Sequence, residues 1–481
     1  MAARHKRNQR RPTGSFVIEV NEQTFNPRVA LAEHLSPTYP SAGQSTVSQA
    51  IARAASHLGW SASETGPFGN IIARGARVLV KPNLVLHENR APYGIEPLVT
   101  HPSLIRAAVE AALTAGAGEV MVGDAPIQGC DFDQLLGATG LDRWAEELMK
   151  REPRFKGVKD FRRTTCTFRN GVRVASENLQ AEDRFILFDL GQNSLLEPIT
   201  NDRNSFRVTC YDPDLMAKTH APGRHQYLVA RDVIEADVII NLPKLKTHKK
   251  AGVTCALKNL IGINGNKEYL PHHRVGGSET GGDCYAGGSK LKRTLEYIAD
   301  QKNSTASHSA GLLWNGLSIP IYQMLRLTKE STDTEGAWSG NDTIWRTCLD
   351  LNRILLYGRT DATLAGDIQR RVIHIADAII AGQGDGPLAP EPLSLGLILA
   401  GNNATAVDYA GAHLLGYAPE RIPIVDRAFK QSKWPLTRFT QDEVELVGDW
   451  GSGMAREIIV AKKLAPVSYP VGWRNAAMSS I

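Results

Sequence analysis

The sequence predicts an α/β protein: a Rossmann-like, mostly parallel sheet with a β-hairpin excursion and a helical insertion. Three observations carry this. Short apolar runs such as ARVLV (76–80), EVMV (119–122) and DVIINL (237–242) alternate with segments of helical period. Asn170-Gly171, between TTCTFR and VRVAS, is a hairpin signal that interrupts the alternation. Residues 286–357 carry helical patterns with no strand between them. Strands alternating with helices imply a sheet covered on both faces.

Taken in order, residues 1–14 form a basic tail, and 15–464 the α/β domain. The strand at 76–80 stops at Lys81-Pro82-Asn83, because proline removes a ladder donor. Pro102 suits the first turn of a helix over 102–115, whose Leu104, Ala107, Ala108 and Ala111 share a face. The next strand, 119–122, ends in Gly123-Asp124. Short helices are expected at 131–138 and 142–150, and the hairpin elaboration at 160–190. Residues 227–235 read as helical, 237–242 as a strand, and Lys244–Lys250 as a basic loop. A helix is expected to start at Ala251-Gly252. Residues 264–292, rich in Gly, His and charge, read as a long loop or lid. Helices over 307–326 and 342–357 form the insertion or cover. Strands at 372–375 and 395–400 and a helix over 404–415 complete the domain, and 465–481 form an irregular C-terminal tail.

Composition narrows the class. The chain has 481 residues, 42% hydrophobic and 22% charged, enough for a large core. Its net charge of +5 is local: Arg4, Lys6, Arg7, Arg10 and Arg11 account for it, and the rest is balanced. No nucleic-acid partner follows from such a body. No apolar run approaches the length of a membrane span, and no apolar stretch follows the basic N-terminus, so no membrane partner and a cytoplasmic location are expected. The six cysteines are dispersed without a Cys-x-x-Cys, so no iron–sulfur cluster or structural zinc is expected.

The chemistry is expected where polar residues follow apolar strands, since open parallel sheets bind ligands outside the carboxyl ends of their strands. Lys81 with Asn83, Asp124, Lys244 with Lys246 and His248, and Asp385 occupy such positions. Between 241 and 274, Lys244, Lys246, Lys249, Lys250, Lys258, Lys267 and Arg274 face one acid, Glu268. Such a cluster, beside a helix start at Ala251-Gly252, favours a carboxylate or phosphate. Lys81, Asn83, Lys244, Lys246 and Arg274 are the expected substrate binders. His248 is the candidate proton carrier, because imidazole titrates near neutrality. Lys258 is an anion contact or, desolvated, a nucleophilic amine. Asp124, His272 and Asp385 are candidate ligands of a divalent metal ion. His273 adjoins His272. Asp385 lies in a glycine-rich turn, 382–387, with Asp377 before it. Asp408, at a helix start, is accounted for by the helix dipole alone. No Walker or Gly-x-Gly-x-x-Gly fingerprint is present, nor a Gly-x-Ser-x-Gly elbow.

VLVKPNLV, THPSLIRAAVEAALTAGAGEVMVGD (100–124), DVIINLPKLKTHKKAGVTCALKNLIGI (237–263), AGQGDGP (381–387) and GNNATAVDYAGAHLLG (401–416) together resemble domain-of-unknown-function family 362 from about residue 15 to about 430. Some relatives carry a ferredoxin-type module, whose clustered cysteines this chain lacks. His248-x-x-Ala251-Gly252 followed by Lys258 is more distantly similar to nickel-pincer lactate racemases. That resemblance implies Lys258 as cofactor anchor and His248 as its imidazole partner. The Asp-x-Thr-Arg segment of those enzymes is absent, so the shared fold is expected rather than the nickel-pincer nucleotide.

The sequence therefore points to an enzyme acting on a small anionic metabolite by metal-assisted acid/base chemistry of isomerase, racemase or lyase type. A metal- or cofactor-binding assembly protein using the same pocket is the alternative, and a redox partner a second one. The cofactor and homo-oligomerisation stay open.

Overall fold

The computed structural model describes residues 22–34, 39, 45–201, 205–209, 212–305 and 307–477. The basic tail at 1–14 and the last four residues of the C-terminal tail lie outside them.

An 11-stranded sheet organises the chain. Its strands are β1 (Arg28–Glu33), β2 (Arg77–Pro82), β3 (Glu119–Asp124), β4 (Phe155–Asp160), β5 (Val238–Leu242), β6 (Lys244–His248), β7 (Gly252–Thr254), β8 (Arg371–Asp385), β9 (Ala389–Gly401), β10 (Glu445–Gly448) and β11 (Gly453–Met454). The order is β11-β10-β1-β9-β8-β5-β2-β3-β4, with β6 on β8 and β7 on β6. The block β8-β5-β2-β3-β4 is parallel. Strand β9 runs antiparallel to both β8 and β1. The architecture is thus the mixed α/β, mostly parallel sheet the sequence predicts.

Alternation along the strands divides the core in two. Val78, Val80, Val120, Val122 and Ile240 face one cluster, which includes Ala50 and Ile51 of helix Ser45–His57 and Leu104 and Ala108 of helix Pro102–Thr114. Leu79, Met121 and Ile239 face the other, with Leu351 of helix Ile344–Tyr357 and Val407 of helix Ala404–Leu414. Side chains two residues apart share a face, so β2, β3 and β5 are apolar on both. Caps follow local chemistry. His101 accepts from Ser103 N ahead of Pro102, and the Asn403 side chain accepts from Thr405 N and Ala406 N.

The hairpin forms as expected: Thr164–Arg169 pairs with Val172–Asn178, and Asn170 and Gly171 take the positive φ that such a turn needs. Four expectations are corrected. Residues 224–230 are a strand, and the helix is confined to Arg231–Ile234. Lys244–His248 is a buried strand, not a loop; its lysines find hydrogen-bond partners inside the protein. Gly252 opens a strand, and the helix starts later, at Ala256–Asn259. In the insertion at 286–357, helices Lys290–Ser304 and His308–Leu327 lie against the hairpin, but Ile344–Tyr357 is a core helix, buried at every position except Arg346. Strands 372–375 and 395–400 are also longer than expected, forming one antiparallel pair that runs through the glycine-rich segment.

Candidate functional site

The site begins as a register match. Leu79, Ile239 and Val372 sit abreast on β2, β5 and β8. Two residues further along, on the same face, Lys81, Asn241 and His374 sit abreast. The apolar layer thus becomes polar at the carboxyl ends of the parallel strands. Asn241 Nδ2 lies 3.0 Å from His374 Nδ1, and Asn241 Oδ1 accepts from Asn259 Nδ2 at 2.7 Å. Asn259 Oδ1 accepts from Asn83 Nδ2 at 3.0 Å, and Asn83 Oδ1 accepts from Lys246 Nζ at 2.8 Å. This relay of amides ties β2, β5 and β6 to the helix that carries Lys258.

The lysines divide into engaged and free. Lys81 Nζ pairs with Asp124 at 2.6 Å and donates to Pro82 O at 2.8 Å. Asp124 also accepts from Leu84 N at 2.6 Å and Ala125 N at 2.9 Å. Lys244 pairs with Asp377 at 2.7 Å, with both side chains fully buried, and donates to Tyr39 and Ile380 O. Burial lowers the Lys81 and Lys244 amines, against their carboxylate partners. Lys246 has no carboxylate; it donates to Asn83 and to Leu98 O at 2.5 Å. Burial, then the Lys244 and Lys258 charges, hold it well below the ordinary lysine value. Lys250 is shared between Thr209 and Glu335, at 3.0 Å each.

Lys258 is different. It is 7% exposed and makes no hydrogen bond or ion pair among the described residues. Burial lowers its amine, Cys348 opposes the shift, and the charges of Lys250 and Lys81 add to it. No carboxylate figures among these influences.

Two imidazoles stand by it. His248 Nδ1 accepts the backbone N–H of Lys250 at 3.0 Å and of Ala251 at 3.1 Å, which leaves the proton on Nε2. His272 Nδ1 lies 2.6 Å from Leu270 O, a carbonyl that can only accept, so Nδ1 carries the proton and Nε2 is a bare acceptor. Burial first, then Lys258, depress both well below the ordinary histidine value. Both rings are therefore neutral at pH 7. Neither Nε2 has a partner among the described residues.

Asp408 holds the Lys258 helix from outside. It accepts from Leu257 N at 3.2 Å, and burial raises its carboxyl to about 7. The helix start expected to receive an anion is thus occupied by a side chain. Gly262 packs over the Lys81–Asp124 pair so closely that a Cβ there would fall 2.0 Å from Asp124 Oδ1.

The structure brings together Lys81, Asn83, Lys246, His248, Lys258 and His272 of the expected residues. Four others take different places. Lys244 is engaged with Asp377 and Tyr39. Arg274 pairs with Asp283 at 3.5 Å. Asp124 closes on Lys81 and two backbone N–H groups, and Asp385 is exposed at the end of β8. The set Asp124, His272 and Asp385 does not assemble, and no group of three His, Cys, Asp or Glu placed to hold a metal ion occurs among the described residues. The five described cysteines are free and buried. Three contributors went unrecognised in the sequence: Asn241, Asn259 and Asp408 as the supports of Lys258. The repeated Asn at 241 and 259, flanking the basic run, was the available signal.

Comparison with known proteins adds the following. A thylakoid-associated protein of Synechocystis sp. is 28% identical over 234 residues, 49% of this chain and 52% of its own length. The chain therefore spans about half of that curated relative. A crystal structure of a protein from Thermotoga maritima aligns over 78% of this chain and 60% of its own, at 11% identity and a TM-score of 0.30. No described helix is long and apolar enough to cross a membrane. The matches at residues 78–186 and 193–413 take in β2 from Val78, every sheet strand from β3 to β9 and all six of the gathered site residues, and the chain belongs to the family described as Domain of unknown function (DUF362).

Proposed function

We propose that the chain is an enzyme that moves a proton next to the carboxylate, or equivalent anionic group, of a small molecule. The observation that carries this reading is Lys258: a buried amine with no protein partner, in a neighbourhood of lysines and imidazoles. Leaving such a group unpaired costs free energy unless water or a ligand completes it. An anion is the complement, and its arrival returns the proton that burial disfavours.

The roles follow from donor and acceptor chemistry. Lys258 takes the anionic oxygen, with Lys246 and Lys250 adding to the field. His272 Nε2, a free base, accepts the proton from the adjacent carbon. His248 Nε2–H donates to the oxygen on which charge develops. Fixed donors and cations in a dry site stabilise such charge without reorganisation. The roles are written without a metal, because Asp124 is engaged with Lys81 and Asp385 lies exposed at the end of β8. The reading places the chain in the cytoplasm, with a small metabolite as its partner.

The test is exchange of carbon-bound hydrogen with solvent deuterium across a panel of small hydroxy-, oxo- and amino-carboxylates, followed by proton NMR. Exchange by the wild-type chain that is lost in both His248→Gln and His272→Gln supports the reading. A carrier using the pocket without turnover would bind without exchange, and that result overturns it.

A further inference from the structure

A second feature lies away from this site. Helix His308–Leu327 carries Arg326 as its single Lys, Arg, Asp or Glu. Leu313, Leu317, Pro320, Met324 and Leu327 recur at intervals of four, three, four and three, so they form one stripe along the helix. The stripe is bare: Leu313 is 65% exposed, Met324 53% and Leu327 83%. Leu312 and Ile319 extend it and are also exposed. Apolar side chains in such continuity mark an interaction surface.

The charge around the stripe indicates what covers it. Segment 290–329 holds Lys290, Lys292, Arg293, Lys302, Arg326 and Lys329 against Glu296 and Asp300. Both acids are turned inward: Glu296 accepts from Gly276 N and Tyr285, and Asp300 pairs with Arg207. Lys290, Arg293, Arg326 and Lys329 are exposed and form no ion pair among the described residues. Glu330, just beyond, accepts from Ser289 Oγ and Thr328 Oγ1. On helix Lys290–Ser304, Lys290, Arg293 and Tyr297 share a face by their spacing. Tyr297, 58% exposed, meets Trp314 of the apolar helix edge-on at 6.1 Å. Bases, aromatic rings and an uncharged apolar stripe therefore stand on one pair of helices, in a body that carries no net charge beyond its basic tail.

We infer that helices Lys290–Ser304 and His308–Leu327 dock the protein on an anionic lipid surface. The stripe lies in the acyl boundary, the tyrosine and tryptophan sit at headgroup depth, and the bases meet the lipid phosphates. This is the composition of a helix that lies in the plane of a bilayer. It replaces the sequence expectation of no membrane partner with peripheral contact, without a spanning segment. A second copy of the chain would be an equally apolar cover, but it would set these unpaired bases near their own counterparts.

The experiment is co-sedimentation of the full chain with vesicles of equal parts phosphatidylcholine and phosphatidylglycerol, and with vesicles of phosphatidylcholine alone. The expected result is binding to the anionic vesicles that weakens with salt and is much lower on neutral ones. The double variant Leu313→Asp/Leu317→Asp should lower the partition at least about tenfold, as should Lys290→Glu/Arg293→Glu, since each base near such a surface is worth about fivefold. The second pair sits on exposed positions and keeps the test valid if the first fails to fold. No vesicle binding, or binding unchanged in both variants, overturns the inference. So does a solution dimer, measured by light scattering, that the first variant dissociates while vesicles go unbound.

Discussion

His248 and His272 carry their protons on opposite ring nitrogens. His248 Nδ1 is held as an acceptor by Lys250 N and Ala251 N, and His272 Nδ1 as a donor by Leu270 O. One ring therefore presents N–H, and the other a lone pair, at the Nε2 positions left without protein partners. A donor and an acceptor beside an unpaired amine are what acid/base chemistry on an anion requires.

Engaged and unengaged lysines should respond oppositely to neutralisation. Lys81→Met leaves the buried Asp124 carboxylate without its cation and should destabilise the fold by about 3–5 kcal/mol. Lys258→Met removes a buried amine that has no partner and should leave stability unchanged or higher. Chemical denaturation of both variants checks this.

Gly262→Ala should act like the loss of Lys81. The new Cβ would fall 2.0 Å from Asp124 Oδ1 and 2.8 Å from Lys81 Nζ, so the pair must separate. A loss of about 2 kcal/mol or more is expected, and a melting-temperature shift reads it out.

Asp408 should leave a pH signature. Its folded carboxyl is raised to about 7, above its ordinary value of 3.8. The folded chain thus holds a proton there that the unfolded chain has released. This contribution is present in full below the unfolded value and is lost as pH rises through about 7. Asp408→Asn should remove it. The wild-type minus Asp408→Asn stability difference should therefore decline between pH 4 and 7 and flatten above, as measured by denaturation across that range.

Anion affinity should weaken as pH rises. Lys258 binds an anion as the ammonium, and burial has lowered its value from 10.5. Above the lowered value in the free chain, binding must first recruit a proton. The affinity should therefore fall at a pH below the ordinary lysine range, and titrations in buffers of rising pH will show it.

Much of the fold was legible because it rests on period and punctuation. Apolar runs around Val78–Val80 and Val120–Val122, Pro102 at a first turn and Asn170-Gly171 in a turn each have one physical meaning. The reading failed where charge overrode period. Lys244, Lys246 and His248 alternate with Leu245 and Thr247, the spacing of a strand, yet three ionisable residues in a row of five suggest a loop. The partners that make burial tolerable, Asp377 and Tyr39 for Lys244 and Asn83 for Lys246, lie more than a hundred residues away in sequence. The same distance hid the role of Asp408, which caps a helix 151 residues earlier. Local sequence shows which residues are polar, but tertiary pairing decides which of them are left free.

The most direct measurement is calorimetric titration of inorganic phosphate and oxalate into the wild-type chain, Lys258→Met and His248→Gln. Saturable one-to-one binding by the wild type, weakened at least tenfold by Lys258→Met, is the expected result, since a hydrogen bond to a charged group is worth about 1.5–3 kcal/mol. Binding that is absent in the wild type, or equally strong in Lys258→Met, would contradict it.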